Sequence, residues 1–244
     1  MPDDAVTSDA LFAGALSVRQ PRRGYRVNVD ALLLAAFAAS GRRARLAVDL
    51  GAGVGAIGLA LAHVGAAARV VLVERDPELA ALAGANLLDN GVAGDVEVQD
   101  LERHGLPRSL AQRAELVVSN PPFYPPAAGT PSTRAPSARG GELAPFVRAA
   151  ARALAGPRAR AVFCYPAAAL AELLARAEEA RLVPKRLRLV HPRADAPARL
   201  ALVELRRAKP GGLVVEPPLV EWQSGRARSP ELVRIVRGEF GSRG

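Results

Sequence analysis

Asn120-Pro121-Pro122-Phe123 combines hydrogen-bond acceptors, two rigid residues and an aromatic ring. Such a segment suits methylation of an amino group on a base, whose nitrogen is a poor nucleophile because its lone pair is delocalised into the ring. The Asn120 side-chain carbonyl and the Pro121 backbone carbonyl can accept bonds from the amino hydrogens and draw the nitrogen towards tetrahedral geometry. The prolines fix φ and offer no competing N–H, and Phe123 can stack on an unstacked base. An activated methyl donor then needs positioning rather than a strong base.

Acidic side chains occur at the ends of three predicted strands. Asp49 and Glu74 close the first two strands, and Asp100 follows the third. Because the carboxyl ends of parallel strands form one crevice, we expect the three carboxylates to lie along it. Glu74 comes 21 residues after Gly53, the usual interval for a carboxylate that accepts bonds from ribose hydroxyls. Asp100 can accept a bond from an adenine amino group, so a nucleotide-like ligand is predicted.

The stretch Val48–Gly58 predicts a strand, a glycine-rich turn and the start of a helix. Glycines permit a tight turn and close approach of the backbone to a ligand, and the helix start presents free N–H groups. The same stretch fits the G-x-G-x-x-G pattern of NAD-binding enzymes. Glu74 does not discriminate between the two cofactor classes, because dehydrogenases also use a ribose carboxylate. The Asn120–Phe123 segment does discriminate between these classes, because it would have no role in an NAD-dependent oxidoreductase.

Apolar strand patterns alternate with helical patterns from residue 45 onwards, which predicts an α/β doubly wound sheet closed by an antiparallel pair. The predicted strands are Arg45–Leu50, Arg69–Glu74, Asp95–Gln99, Ala114–Ser119, Arg160–Tyr165, Lys185–Val190 and Arg199–Leu205. The predicted helices are Ala31–Ala39, Gly55–Val64, Pro77–Asn90, Leu143–Leu154, Ala167–Ala180 and Pro230–Val236.

The chain divides into three predicted segments. Residues 1–40 are expected to form a hairpin and helix that cover the cofactor site, with Ala10–Val18 as one strand, Tyr25–Val29 as another and Asp30 as a helix N-cap. Residues 41–206 are the predicted catalytic domain, and residues 207–244 a tail packed on it. Residues 125–141 are rich in Pro, Ala, Gly, Ser and Thr, which indicates a mobile loop.

Composition restricts the class of protein. Half of the 244 residues are apolar, enough for a core, but no apolar run is long enough for a membrane span. The amino terminus lacks the pattern of a signal peptide, and a single cysteine fits a reducing cytoplasm. Residues 151–244 hold 18 basic and 9 acidic side chains, the whole net charge of +9. This excess favours a polyanion partner such as nucleic acid.

Metal chemistry and nucleophilic catalysis have little support in the sequence. His63, His104 and His191 are far apart and lack metal-ligand spacing, so no metal site is expected. Cys164 lies inside a predicted central strand and is interpreted as a core residue. The sequence has no recognisable Ser-His-Asp arrangement and no Walker lysine.

Together these motifs resemble class I S-adenosylmethionine-dependent methyltransferases that act on amino nitrogens, with a Rossmann-like fold of seven mostly parallel strands. The segment Gln20–Arg26 followed by Asp30–Ala35 narrows the resemblance to the bacterial tRNA(Val) adenine-N6 methyltransferases, over residues 15–206. That family modifies the adenine beside the anticodon, which implies tRNA as the partner. The resemblance implies S-adenosylmethionine as the cofactor and S-adenosylhomocysteine as its product. It places the cofactor site at Asp30, Asp49, Gly51, Gly53, Gly55, Glu74, Asp100 and Asn120.

By the same resemblance, the catalytic segment that holds the target adenine is Asn120, Pro121, Pro122 and Phe123. The composition of loop 125–141 departs from the family, so its substrate contacts are not carried over. Related Asn-Pro-Pro motifs also serve methyltransferases for guanine N2 of ribosomal RNA or for a glutamine amide of release factors. The Gln20–Leu34 stretch argues against both. An NAD-dependent oxidoreductase and a catalytically silent RNA-binding module remain more distant alternatives.

Overall fold

The computed structural model describes residues 5–24, 26–123, 143–208, 210–223, 225 and 227–240. The strands are β1 (Val6–Leu11), β2 (Leu16–Pro21), β3 (Ala44–Leu50), β4 (Ala67–Glu74), β5 (Gly94–Val98), β6 (Leu116–Ser119), β7 (Arg160–Pro166), β8 (Val183–His191), β9 (Leu200–Arg206), β10 (Val214–Val215) and β11 (Leu219–Val220). The helices are α1 (Val29–Ala39), α2 (Ala56–His63), α3 (Pro77–Asp89), α4 (Leu143–Ala153), α5 (Leu170–Glu179) and α6 (Pro230–Val236). Within these ranges no helix is long and apolar enough to cross a membrane.

In the part of the chain that the structure describes, nine strands form the central sheet in the order β10-β8-β9-β7-β6-β3-β4-β5, with β11 paired to β8. Strands β3 to β7 run parallel, and β9 lies antiparallel between β7 and β8. The predicted α/β sheet with a closing antiparallel pair is confirmed. The count of seven strands is exceeded because β10 and β11 add to β8 in parallel; strands of two residues are too short for a periodic signal.

Helices cover both faces of the sheet, as the alternating pattern predicted. One apolar core lies between the sheet and helices α1, α2, α3 and α6. The other core lies between the sheet and helices α4 and α5. The parallel strands are therefore buried on both faces, which explains their nearly continuous apolar sequences. Their carboxyl ends meet at one edge of the sheet, where the candidate site lies.

The amino-terminal segment corrects three local predictions. The predicted strand Ala10–Val18 spans a turn: β1 and β2 form an antiparallel hairpin around Phe12–Ala15. The predicted strand Tyr25–Val29 is not formed, because residues 26–28 pair with no strand and Val29 already begins α1. Asn28, not Asp30, caps that helix, since its side chain accepts from the amides of Asp30 and Ala31. Asp30 instead occupies the first helical turn.

Asn86 of α3 and Asn90, the C-cap of that helix, attach the hairpin to the rest of the domain. The fully buried Asn86 accepts from the Arg19 amide at 2.7 Å and donates to the carbonyls of Arg19 and Val54, each at 2.9 Å. One helical turn later, Asn90 bonds the amide and carbonyl of Ser17 at 2.9 and 2.7 Å. The side chains thus satisfy the outer edge of β2 as a neighbouring strand would.

We expect Asn86→Ala to lower the free energy of unfolding by about 3 kcal/mol, because it removes a buried bond to the Val54 carbonyl and partly buried bonds to the amide and carbonyl of Arg19. Urea denaturation followed by circular dichroism measures the change. Asn90→Ala is the matched control: it removes bonds to the same strand from a partly exposed position, and its cost should be about 1 kcal/mol. Equal effects of the two substitutions would contradict this role of Asn86.

Candidate active site

The glycine-rich turn after β3 forms the floor of the site. Gly51, Gly53 and Gly55 all have positive φ, at +74°, +57° and +87°, which a residue with a side chain rarely adopts. The Gly51 and Ala52 amides donate to the Val73 carbonyl at 2.8 and 3.1 Å. A Cβ on Gly51 would lie 2.9 Å from the Phe146 ring, so this glycine lets α4 approach the turn.

The Glu74 carboxylate at the end of β4 fixes the shape of this turn. Its Oε2 accepts from the Gly53 amide at 2.8 Å, and its Oε1 accepts from the amides of Arg75 and Asp76 at 2.9 and 3.0 Å. The residue is almost fully buried. A carboxylate has about four acceptor positions, so three amides leave one on Oε2. Glu74 can therefore hold the turn and still accept one bond from a ligand.

The carboxylate of Asp100, after β5, is likewise oriented by its own loop. Its Oδ1 accepts from the amides of Glu102 and Arg103 at 2.9 and 3.1 Å. Burial alone would raise the pKa of Asp100, but the amides of Arg103 and Glu102 and the charges of Arg103 and Arg75 lower it below its ordinary value. Asp100 therefore presents a fixed negative charge, and its Oδ2 faces the Arg103 guanidinium at 3.6 Å.

Asp30 reaches the site from the first turn of α1. Its Oδ1 accepts from Arg199 at 2.7 Å, and its Oδ2 accepts from the Asn28 side chain at 3.3 Å. Arg199 also donates to both oxygens of the buried Glu221, at 2.6 and 2.5 Å. Bonds to Glu221 and Asp30 raise the pKa of Arg199 above its ordinary value. Asp30 is thus one end of an ion-pair network that reaches the carboxyl-terminal tail.

The Asn120–Phe123 segment leaves the sheet directly beside the glycine turn, because β6 is the neighbour of β3. The buried Ser119 hydroxyl donates to the Leu50 carbonyl at 2.8 Å and fixes the two strand ends together. Phe123 packs edge-to-face on Tyr165, with ring centroids 5.4 Å apart. Burial, and after it the charge of Glu172, raises the pKa of Tyr165 to about 12. This ring is therefore a neutral support for Phe123.

A cavity of about 520 Å³ brings these groups together at the carboxyl edge of the sheet. This volume is typical of sites for small ligands and cofactors. Nine of the predicted site residues line it: Asp30, Gly51, Gly53, Glu74, Asp100, Asn120, Pro121, Pro122 and Phe123. Residues from five separate stretches of sequence thus converge on one cavity.

Two predicted cofactor residues, Asp49 and Gly55, lie outside that lining. A Cβ on Gly55 would lie 2.7 Å from the Leu72 side chain, so this glycine serves the packing of α2 on β4. Asp49 is buried beneath the turn; its Oδ2 accepts from the Gly58 amide at 3.3 Å, and its Oδ1 has no partner among the described residues. Burial, with a further contribution from Glu74, raises the pKa of Asp49 to about 7. The structure therefore gives both residues places within the fold rather than on the cavity wall.

Several lining residues were missed by the sequence analysis. Gly24, Arg26 and Asn28 precede α1, and Arg26 forms an ion pair with Asp9 at 2.7 Å. Gly24 and Arg26 belong to the Gln20–Arg26 stretch that carries the family resemblance, so the sequence did offer a signal for these two lining residues. Phe146, Pro166 and Leu200 carried no signal, because they are ordinary apolar residues that only the tertiary fold brings to the cavity. Arg75, Gln99 and Glu102 also line it.

Many arginines of the basic half are engaged inside the fold. Arg186, Arg188, Arg199 and Arg206 form ion pairs with carboxylates. Arg160 and Arg207 donate to backbone carbonyls of other elements. The charge count of residues 151–244 therefore overstates the positive surface that this half can offer a polyanion. Among the described residues, no group of three or more His, Cys, Asp or Glu could hold a metal ion.

Comparison with known proteins identifies the family. The model of the methyltransferase small domain matches residues 28–135. A tRNA1(Val) (adenine(37)-N6)-methyltransferase of Porphyromonas gingivalis is 33% identical over 192 residues, which cover 75% of this chain and 74% of that protein. The chain belongs to the tRNA1(Val) (adenine(37)-N6)-methyltransferase family. Membership makes the chain a methyltransferase and decides the ambiguity of the glycine-rich stretch against an NAD-dependent oxidoreductase.

Other similarities are shorter or concern the fold alone. A family member from Klebsiella pneumoniae is 34% identical over 125 residues, 51% of this chain and 49% of its own length. A release factor glutamine methyltransferase of Mycolicibacterium smegmatis is 39% identical over 100 residues, 41% of this chain and 35% of that protein. A crystal structure of a predicted O-methyltransferase from Agrobacterium tumefaciens has a TM-score of 0.70 at 24% identity, covering 87% of this chain and 98% of that one. The structure of a Thermus thermophilus 16S rRNA guanine-N2 methyltransferase has a TM-score of 0.58 at 22% identity. The match covers 83% of this chain and 50% of that one.

The raised pKa of Asp49 predicts a pH-dependent stability that Asp49→Asn should remove. Folded Asp49 retains a proton up to about pH 7, whereas the unfolded chain releases it near pH 4. Its contribution to stability is therefore complete below pH 4 and is lost as the pH rises through 7. Between pH 5 and pH 8 the free energy of unfolding of the unmodified protein should therefore fall by about 2 kcal/mol relative to that of Asp49→Asn. Thermal unfolding at each pH measures the difference. The exposed Asp95→Asn is the control, and two parallel stability curves for Asp49→Asn would contradict the prediction.

Proposed function

We propose that this protein transfers a methyl group from S-adenosylmethionine to the N6 amino group of an adenine in the anticodon loop of tRNA(Val). The observation that carries the proposal is the meeting of the strand-end carboxylates and the Asn120–Phe123 segment in one cavity. The family relatives named for this reaction at adenine 37 support it. A tRNA substrate implies action in the cytoplasm.

The residues present fit S-adenosylmethionine. The turn at Gly51 and Gly53 presents backbone without side chains, and the acceptor position left on Glu74 suits a ribose hydroxyl. Asp100, whose lowered pKa keeps it ionised, suits an adenine amino group. Asp30, which pairs with Arg199, is a further carboxylate of the lining beside Glu74, Asp100 and Glu102, and a lining rich in carboxylates suits a cationic cofactor. S-adenosylmethionine supplies a methyl group already activated on a sulfonium.

The protein's own contribution to the reaction is then the placement of the target nitrogen. The Asn120 and Pro121 carbonyls accept the two amino hydrogens of adenine, which localises the nitrogen lone pair towards the methyl donor. Phe123, braced by Tyr165, stacks on the base. Because the base must leave its stack to enter the cavity, an unpaired loop nucleotide is a better substrate than a duplex position, which costs a few kcal/mol more.

The test is methylation of tRNA1(Val) transcripts by the purified protein, read as N6-methyladenosine by nucleoside mass spectrometry. Asn120→Ala should lower kcat by about 100-fold or more, because one preorganised polar partner of the transition state is lost. Its dissociation constant for S-adenosylhomocysteine should stay within about threefold. Asn120→Asp keeps an acceptor at the same place and should retain more activity than the Ala variant.

A transcript with guanine in place of adenine 37 is the matched substrate control and should not be methylated. Methylation of 16S ribosomal RNA or of a release factor, with none of the tRNA, would contradict the proposed substrate. Full activity of Asn120→Ala on the tRNA would contradict the proposed role of this segment while leaving the substrate intact.

A further inference from the structure

Trp222 is an exposed aromatic residue at the edge of the sheet where the cavity lies. It is the single tryptophan of the chain, and 36% of it is exposed. The Arg228 guanidinium lies over its ring, 5.8 Å from the centroid. Residues 222 and 228 face each other across an antiparallel bridge. The protein thus presents an aromatic ring together with a positive charge on its surface.

The strand register places Trp222 beside the cavity. Leu200, which lines the cavity, is opposite Val190 of β8, and Val190 is opposite Leu219 of β11. Two strand spacings of about 4.8 Å therefore separate the cavity wall from β11. Because β11 runs parallel to β8, and β8 runs parallel to β7, its end points towards the carboxyl edge. Trp222, three residues beyond Leu219, therefore lies at that edge, on a segment two strands to the side of the cavity wall.

Ionic and main-chain contacts hold this position. Glu221, adjacent to Trp222, is buried and paired with Arg199, which also pairs with the cavity residue Asp30. The Trp222 amide donates to the Pro192 carbonyl at 3.0 Å. Arg193 donates to the carbonyl of Gly225 at 2.8 Å. The tryptophan is therefore fixed relative to the cavity rather than carried on an independent tail.

We propose that Trp222 and Arg228 form a stacking platform for an unpaired base of the RNA substrate, next to the nucleotide that enters the cavity. The inference rests on the proposed function. An aromatic ring stacks on any base, and the arginine can contact base or phosphate of the same nucleotide. A lateral offset of two strand spacings, about 10 Å, is within reach of a loop nucleotide near the target. Among the described ion pairs none engages Arg228, whose guanidinium lies over the Trp222 ring.

Because Trp222 is the single tryptophan, its fluorescence reports this contact directly. We expect its emission to be quenched when an RNA hairpin with the anticodon stem and loop of tRNA1(Val) is added. Quenching should follow the same dissociation constant as the anisotropy of a fluorescently labelled hairpin. A duplex with the same stem sequence, which has no unpaired bases, should leave the emission almost unchanged.

Substitutions separate stacking from packing. Trp222→Ala should raise the dissociation constant for the hairpin about tenfold, while Trp222→Phe, which keeps an aromatic face, should change it by no more than about threefold. Arg228→Gln should reduce the salt dependence of binding by about one ion. Arg234→Gln, at an exposed arginine of α6 in the same tail, is the matched control and should change neither quantity. Binding of S-adenosylhomocysteine should be the same in all of these variants.

The outcomes distinguish the platform from the function on which it rests. If the hairpin binds and is methylated but the emission and the Trp222→Ala affinity are unchanged, the platform is overturned and the proposed function stands. If Trp222→Ala loses affinity for S-adenosylhomocysteine as well as for RNA, the indole is a packing residue and the platform is overturned. If the unmodified protein neither binds nor methylates the hairpin or the full tRNA, the proposed function fails and the platform with it.

Discussion

The site depends most on the hydrogen bonds that the Glu74 carboxylate accepts. This carboxylate ties the Gly53 amide of one strand end to the Arg75 and Asp76 amides of the next. A buried carboxylate is tolerated only when hydrogen bonds satisfy it, and here the glycine turn supplies one of the three bonds. The turn and the carboxylate thus stabilise each other. One acceptor position remains on Glu74, so the group that shapes the cavity can also serve a ligand inside it.

Segments near both ends of the chain support the cavity, one by lining it and the other through an ion-pair network. The amino-terminal hairpin, held by Asn86, leads into the segment that brings Arg26 and Asn28 to the lining. The carboxyl-terminal tail supplies Glu221, which reaches Asp30 through Arg199. Sequence-distant additions therefore surround the same carboxyl edge of the sheet. The cavity of this methyltransferase thus depends on segments added to the α/β sheet as well as on the sheet itself.

The sequence predicted those parts of the site that follow from topology alone. Because parallel strands end at one edge of a sheet, their order in the sequence is enough to predict that Glu74, Asp100 and Asn120 lie close together. Other features depended on choices that a sequence leaves open. Asn28 and Asp30 are comparable helix caps, and only the path of the chain selects Asn28. Asp49 precedes the glycines, but its side chain turns beneath them. The contact between Arg199 and Glu221 joins residues 22 positions apart and carries no periodic signal.

The most direct test of the central claim is the affinity of Glu74→Gln for S-adenosylhomocysteine, measured by isothermal titration calorimetry. Glutamine preserves the size of the side chain but directs an amide donor at positions where Glu74 only accepts. The dual role of Glu74 predicts that affinity falls about 30-fold or more, as expected for the loss of a charge-assisted bond and a disordered turn. Glu97→Gln, on β5 and outside the cavity lining, should bind as the unmodified protein does. An affinity of Glu74→Gln within about threefold of the unmodified protein would contradict the claim.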